Sequence, residues 1–302
     1  MKAVLIGIDG LDFFLIEKYI DSLPNFKKIK EKGILQTTWS TFPPDSICAW
    51  SSIFTGKNPA QHGLLESIDY LSKKEYKYAK GYSFVNETFW DEINKLGRKV
   101  CVINPFLAYP AWKVNGIMVS GPVFEGGETT AFPGEILQKF NFPSLGGWVD
   151  FPDEKDLEEF IKKARVNTQE LAKVSLEIYK KFPSDLFFLT FLTSDRIQHF
   201  LWRFTDEEDP TFPGESPFKN SIKEFYILFD QTIGEFMKMM DEESVLIVLS
   251  DHGHKRRCVK CLNLNEFLRK RGYLFLKSEN MVKGETKKLI EKNENFCFEI
   301  FP

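Results

Sequence analysis

Asp195 and His199 stand four residues apart in D-R-I-Q-H, and Asp251 and His252 are adjacent in S-D-H-G-H. The chain has only four histidines, the others being His62 and His254, so two of four pair with an aspartate at metal-ligand spacing. On a helix, positions i and i+4 share a face and can reach one ion. Carboxylate oxygen with imidazole nitrogen suits Zn²⁺ or Mn²⁺, and two such sites suit two-metal phosphoryl chemistry. A half-buried histidine on a helix face is the plainer account of His199 taken alone.

Asp9 closes the apolar run VLIGID, Asp195 closes FFLTFLTSD and Asp251 closes VLIVLSD. Ligands of an open α/β sheet bind just beyond the carboxyl ends of its strands, so the three acids are expected to converge on one crevice. Any one of them alone is an ordinary turn or capping residue.

A nucleophile candidate comes from TFPPDSICAW at 41–50. Its two prolines predict extended backbone over 42–45, and Ile47 to Thr55 reads as a helix closed by Gly56. Ser46 then falls at the N-cap, where a hydroxyl usually accepts from first-turn N–H groups. The same place, facing free donors and a positive dipole end, is where a phosphoryl group would bind.

Apolar β-branched runs alternate with helical patterns, which predicts an α/β fold with a mostly parallel sheet. Strands are expected at 2–9, 34–40, 99–105, 116–120, 185–193 and 244–250, and helices at 12–32, 46–55, 87–97, 154–181, 196–203, 216–241 and 263–272. The Gly/Pro-rich stretches 121–150 and 204–218 read as irregular insertions beside the cleft, with a third at 66–86. The expected organisation is one catalytic domain over 1–302, with an incomplete C-terminal part.

With 302 residues, 43% of them apolar, the chain can bury a large core. A formal charge of −3 without a long basic block argues against a nucleic-acid polymer as partner, while a small phosphoester or nucleotide substrate stays open. No run approaches the roughly 20 apolar residues of a membrane span, and MKAVLIGID reads as a first strand rather than a leader, so the expected compartment is the cytoplasm. The five cysteines, Cys48, Cys101, Cys258, Cys261 and Cys297, form no framework, and the lone C-V-K-C at 258–261 is a weak metal or disulfide signal. Oligomeric state is not legible.

Four segments in order, IGIDG, TFPPDSICAWSSIFTGKNPAQHG, TSDRIQH and SDHG, resemble the alkaline phosphatase superfamily and, within it, the type I phosphodiesterase/nucleotide pyrophosphatase branch. The resemblance runs from residue 1 to about 276, and 88–121 is similar to bacterial and archaeal members. It implies a three-layer sandwich, with helices on both faces of a mostly parallel sheet and loop insertions capping the site. It also implies two divalent ions, Zn²⁺ or Mn²⁺. Asp9, Asp251 and His252 would hold one ion, with Ser46 as the nucleophile bound to it, and Asp195 and His199 would belong to the other. The implied reaction is hydrolysis of phosphodiester or phosphoanhydride bonds through a covalent phospho-Ser46.

The chain departs from the family pattern in places. Ala49 stands where some nucleotide pyrophosphatases carry an Asn that holds a phosphate oxygen. His62, in P-A-Q-H-G, matches a His-Gly expected to close the turn after the nucleophile helix. The pattern supplies the second ion with a further histidine from a late H-x-x-x-G segment, and no histidine follows His254. The expectation is a parent continuing past Pro302, with His254 or another acid as substitute, or a weakly held second ion, as the other routes. Two alternatives accompany the hydrolase: a truncated or degenerate member that binds metal and phosphate with little turnover, and a phosphomonoesterase or phosphomutase of the same superfamily. A sulfatase is disfavoured because Cys48 is followed by Ala49 and Trp50, without the C-x-P-x-R context.

Overall fold

The structure is a computed structural model describing residues 2–65, 68–69, 77–78, 85–123, 127–146, 152–256, 258 and 262–273. Strand β1 (Lys2–Ile8) reads KAVLIGI and pairs in parallel on both sides, with β7 (Leu186–Phe191) and with β8 (Ser244–Leu249). A strand covered on both faces needs apolar side chains at every position, which is why β7 reads LFFLTF and is buried throughout. The sheet continues from β7 through β4 (Val100–Ile103) and β5 (Gly116–Ser120) to β6 (Thr130–Phe132), in the order β6-β5-β4-β7-β1-β8. Only β6 runs antiparallel, against β5. The stretch expected to be irregular over 121–150 thus contributes an edge strand and a short helix, α6 (Ile136–Lys139).

Alternate residues of the central strands enter two separate cores. Val4, Ile6, Phe187 and Leu189 join one, against α1 (Phe13–Tyr19), α2 (Pro24–Lys32), α7 (Leu157–Lys181) and α9 (Ser221–Met239). Leu186, Phe188, Val100 and Val102 join the other, against α3 (Ser46–Thr55) and α5 (Phe89–Lys95). Trp50, Phe54, Trp90 and Phe188 stack or meet edge-on in this second core, each fully buried and contributing about 1.5–3 kcal/mol over an exposed position. The layers are helix, sheet, helix, as the α/β reading predicts.

Two expected elements differ. The helix foreseen over 12–32 breaks into α1, a 3₁₀ turn at Ile20–Ser22 and α2, because Pro24 lacks an N–H and restarts the helix at its first position. The carboxylate of Asp230, on α9, accepts from the N–H groups of Asn25 and Phe26 and so caps α2 from outside. The strand foreseen at 34–40 does not form. The segment pairs with no strand of the sheet among the described residues, and Trp39 stays 99% exposed. Leu35 packs against the core, and the Ser40 hydroxyl donates to the carbonyl of Asp251 at 2.6 Å.

Of the insertion at 66–86, only β2 (Ile68–Asp69) paired with β3 (Lys77–Tyr78) and the final residues 85–86 are described. Cys261 of the C-V-K-C pair, Cys297 and the chain after 273 lie outside the described residues. Among the described residues, no helix is long and apolar enough to cross a membrane.

Candidate active site

The strand ends converge as expected. Asp9 directly follows β1, its N–H donating to the carbonyl of Phe191 at the end of β7, and Asp251 lies two residues past β8. Asp195 is a correction: it does not end a strand but occupies the first turn of α8 (Thr193–Thr205), because β7 stops at Phe191 and the chain turns at once into the helix. That helix begins three residues earlier than foreseen. It carries Asp195 and His199 on one face, with His199 Nε2 at 3.2 Å from Asp195 Oδ1.

Ser46 also needs correcting. The N-cap of α3 is Asp45, whose carboxylate accepts from Ile47 N–H at 2.9 Å, and Ser46 is the first helical residue. Two capping candidates stand side by side, and the charged one takes the role, favoured by the helix dipole. The serine hydroxyl is thereby released. It donates to Asp9 Oδ1 at 3.2 Å and lies 3.0 Å from His252 Nε2. Nδ1 of His252 faces the carbonyl of Gly253 at 2.8 Å, so it carries a proton, and the neutral form of the ring points a lone pair from Nε2 at the site.

Two groups form. Asp9, Asp195 and His252 have ligand atoms within 4.8 Å of one another, and so do Asp195, His199 and His254. Asp251 adjoins the first, with Oδ2 at 3.4 Å from His252 Nε2. Sequence reading gave His254 only the part of a possible substitute. It stands 3.8 Å from Asp195 Oδ1 through Nδ1, its ring edge-on to His199 and tilted against Trp202. The available signal was H-G-H itself, a second imidazole carried across the strand ends by a short extended segment.

The electrostatics call for cations. Burial first, then the neighbouring charges of Asp251 and Asp195, hold the Asp9 carboxyl well above the usual range, and burial also raises Asp251. For Asp195, burial is outweighed by the flanking imidazoles of His199 and His254, and the carboxyl is held low. His252 is raised because Asp251 and Asp195 outweigh its burial, whereas burial lowers His254. Asp251 Oδ2 is buried with no hydrogen-bond donor aligned on it, while Asp195 Oδ1 has the imidazoles of His199 and His254 beside it. A buried carboxylate oxygen without a donor costs several kcal/mol, on the order of the penalty for an uncompensated charge, unless a cation faces it. The donor set of three carboxylates and three imidazoles therefore fits divalent ions of the Zn²⁺ or Mn²⁺ type.

Close packing holds these ligands in place. Trp50 Nε1–H donates to Asp9 Oδ2 at 3.3 Å, and its ring lies so near β1 that a Cβ on Gly7 would fall 2.7 Å from it. Gly10 has φ +67°, and a Cβ there would come within 3.2 Å of the Asp195 backbone, so only glycine lets this loop meet α8 without strain. The loop after α8 reaches the site's rim through an ion pair between Glu208 and Arg256.

His62 ends α4 (Pro59–His62) away from both groups. Leu64 N–H donates to its Nδ1, so its Nε2–H donates to Ser52 Oγ on α3 at 2.8 Å. His62→Ala is expected to lower unfolding free energy by about 1–2 kcal/mol while leaving metal stoichiometry unchanged, checked by denaturant unfolding and metal analysis of one sample.

Residues 3–297 match the family described as Type I phosphodiesterase / nucleotide pyrophosphatase. The chain belongs to that family. Among solved structures, phosphonoacetate hydrolase from Sinorhizobium meliloti, in complex with phosphonoformate, aligns with TM-score 0.57 at 16% identity, covering 89% of this chain and 62% of that one. The alkaline phosphatase PafA aligns with TM-score 0.52 at 14% identity, covering 96% and 68%, and a 2-O GAG sulfatase with TM-score 0.50 at 9%, covering 83% and 58%. These similarities establish the alkaline phosphatase-like fold. The chain spans 62% of the length of the phosphonoacetate hydrolase. No curated protein sequence matches it.

Proposed function

We propose that this family member is a metal-dependent hydrolase of phosphodiester or phosphoanhydride bonds in small phosphoesters or nucleotides, acting through phospho-Ser46. The observation that carries the reading is the Ser46 hydroxyl, freed from capping by Asp45, at the start of α3 and in reach of both Asp9 and His252. Asp9, Asp251 and His252, with Ser46 Oγ, would hold one divalent ion; Asp195, His199 and His254 would hold the second. Bound there, the ions would supply positive charge that eases loss of the serine proton and offsets charge on the phosphoryl oxygens.

Ser46 Oγ attacks phosphorus in line with the leaving oxygen, so the Oγ–P bond forms as the bond to the leaving alcohol or phosphate breaks. Asp9 Oδ1 and His252 Nε2 lie beside the serine oxygen, so an ion held by them would face the hydroxyl and ease loss of its proton to solvent. The N-terminus of α3 presents its dipole to the transferred group. Water then cleaves the Oγ–P bond and restores the hydroxyl. Since Ala49 offers no side-chain donor, another donor or the backbone N–H groups at that terminus would orient the phosphoryl oxygens.

His254 supports a complete second site and weighs against the reading as a metal- and phosphate-binding member with little turnover. The test is a Zn²⁺ or Mn²⁺ titration of chelator-stripped protein, following bound metal by calorimetry and hydrolysis of bis(p-nitrophenyl) phosphate together. Two ions per chain are expected, with the rate rising as the second binds. His254→Ala is expected to weaken that second ion by about 10-fold to 100-fold while the first keeps its affinity. Full occupancy of two ions with no hydrolysis of diester, monoester or pyrophosphate would favour the binding-only member. Two equally tight ions in His254→Ala would remove His254 from the ligand set.

A further inference from the structure

The loop Gly10, Leu11 and Asp12, which follows Asp9, bonds to the segment that carries Asp251, His252 and His254 and to the helix that carries Asp195 and His199. Gly10 N–H donates to Asp251 Oδ1 at 3.1 Å, and Leu11 N–H donates to Ser250 Oγ at 2.9 Å. Ser250 Oγ in turn donates to the carbonyl of His252, and Asp12 Oδ2 accepts from His254 N–H at 3.3 Å. The link to α8 runs through two side chains in succession. Gln198 Nε2 donates to the Gly10 carbonyl at 2.6 Å, Tyr226 Oη donates to Gln198 Oε1 at 2.9 Å, and Asp12 N–H donates to Tyr226 Oη at 2.8 Å.

These bonds close a ring: Gly10 C=O, Gln198 amide, Tyr226 hydroxyl, Asp12 N–H. Gln198 is 0% exposed and Tyr226 1%, so water does not compete for their polar atoms. Gln198 lies three residues after Asp195 and directly before His199 on α8, while Tyr226 projects from α9. A glutamine is suited to this place because it offers a donor to one partner and an acceptor to the other at the same time. An apolar residue of its size would fill the space and leave the Gly10 carbonyl and the Tyr226 hydroxyl without partners. The ring joins the loop of the first metal group to the helix of the second by hydrogen bonds, beside the close packing of Gly10 on Asp195.

We infer that Gln198 and Tyr226 are positioning residues that set the spacing between the two metal centres, holding the loop of Asp9 against the helix of Asp195 and His199. The inference rests on the two-metal reading above. Stabilising an entering and a leaving oxygen at once requires both centres at a fixed separation, so the ring acts on turnover more than on substrate binding.

The experiment loads the wild-type chain, Gln198→Met and Tyr226→Phe with Mn²⁺ and measures bound metal, the electron paramagnetic resonance spectrum, kcat and KM for the diester, and thermal unfolding. Wild type is expected to bind two Mn²⁺ with the spectrum of a spin-coupled pair. Each variant is expected to keep two ions but lose or broaden the coupled signal, with kcat down about 10-fold to 100-fold and KM within about 3-fold. If wild type holds no coupled pair, the two-metal reading fails, and this proposal with it. If wild type is coupled and both variants match it in spectrum and kcat, the two-metal reading stands and the positioning role is overturned. Should Gln198→Met lose cooperative unfolding, Tyr226→Phe decides the matter, since it removes a single oxygen from a buried ring that otherwise packs unchanged.

Discussion

Ser46→Ala is expected to lower kcat for a chromogenic phosphodiester by at least about a thousandfold, the scale set by loss of a covalent nucleophile. The same variant should unfold at nearly the wild-type temperature. This second half of the expectation follows from the cap: Asp45, not Ser46, accepts the first-turn N–H, so the deletion removes no bond that holds α3. It removes only the hydroxyl contacts to Asp9 Oδ1 and His252 Nε2. Four protein side chains of the proposed first centre become three, and metal affinity should drop only modestly. Steady-state rates, metal content and a melting curve on one preparation check all three parts. Retention of more than about a tenth of the activity would take the nucleophile role from Ser46, and a large loss of stability would show that the hydroxyl caps after all.

Asp251→Asn carries the second large effect, and its sign depends on whether metal is present. Asp251 Oδ1 accepts from Gly10 N–H, while Oδ2 is buried without a donor. Asparagine can keep the first contact through its own oxygen, but it places an N–H₂ where the ion needs a lone pair. Metal affinity at the first centre is expected to fall at least about 100-fold, with activity following it. Metal-free protein should respond in the opposite direction. Asp9, Asp195 and Asp251 crowd together, and the Asp9 carboxyl is pushed up by burial and then by the charges of Asp251 and Asp195. Neutralising one member relieves that repulsion, so the stripped variant should be more stable than stripped wild type, by on the order of 1 kcal/mol. Paired melting curves with and without Zn²⁺ would show the crossing; equal metal stoichiometry and affinity in the variant would remove Asp251 from the ligand set.

The legible and illegible parts of this molecule separate by the range of the interactions involved. The α3 boundaries, Gly56 at its end and the placement of Asp9 and Asp251 beyond strand ends follow from local rules of propensity and capping, and the sequence carries them openly. Ser46 was identified at the right helix end but given the wrong helical position, because Asp45 and Ser46 are equally acceptable caps by type and only the folded geometry chooses between them. For 34–40 the pattern suggests a strand, yet a strand forms only where a partner strand is in register beside it, which no local pattern reports. His254, Trp50, Gln198 and Tyr226 were given no firm role for a similar reason. Their partners lie 41 residues away for Trp50 and Asp9, and 188 for Gln198 and Gly10.

The contact between Gly7 and Trp50 has a bearing on how the chain tolerates change. Gly7 carries no side chain that could bind an ion and sits mid-sheet, two residues before Asp9. Yet a methyl group there displaces the indole whose N–H steadies Asp9. In a mutational library, losses at position 7 should therefore be recovered by smaller rings at position 50 for folding but not for activity, so that packing and catalysis, inherited through one side chain, cannot drift independently.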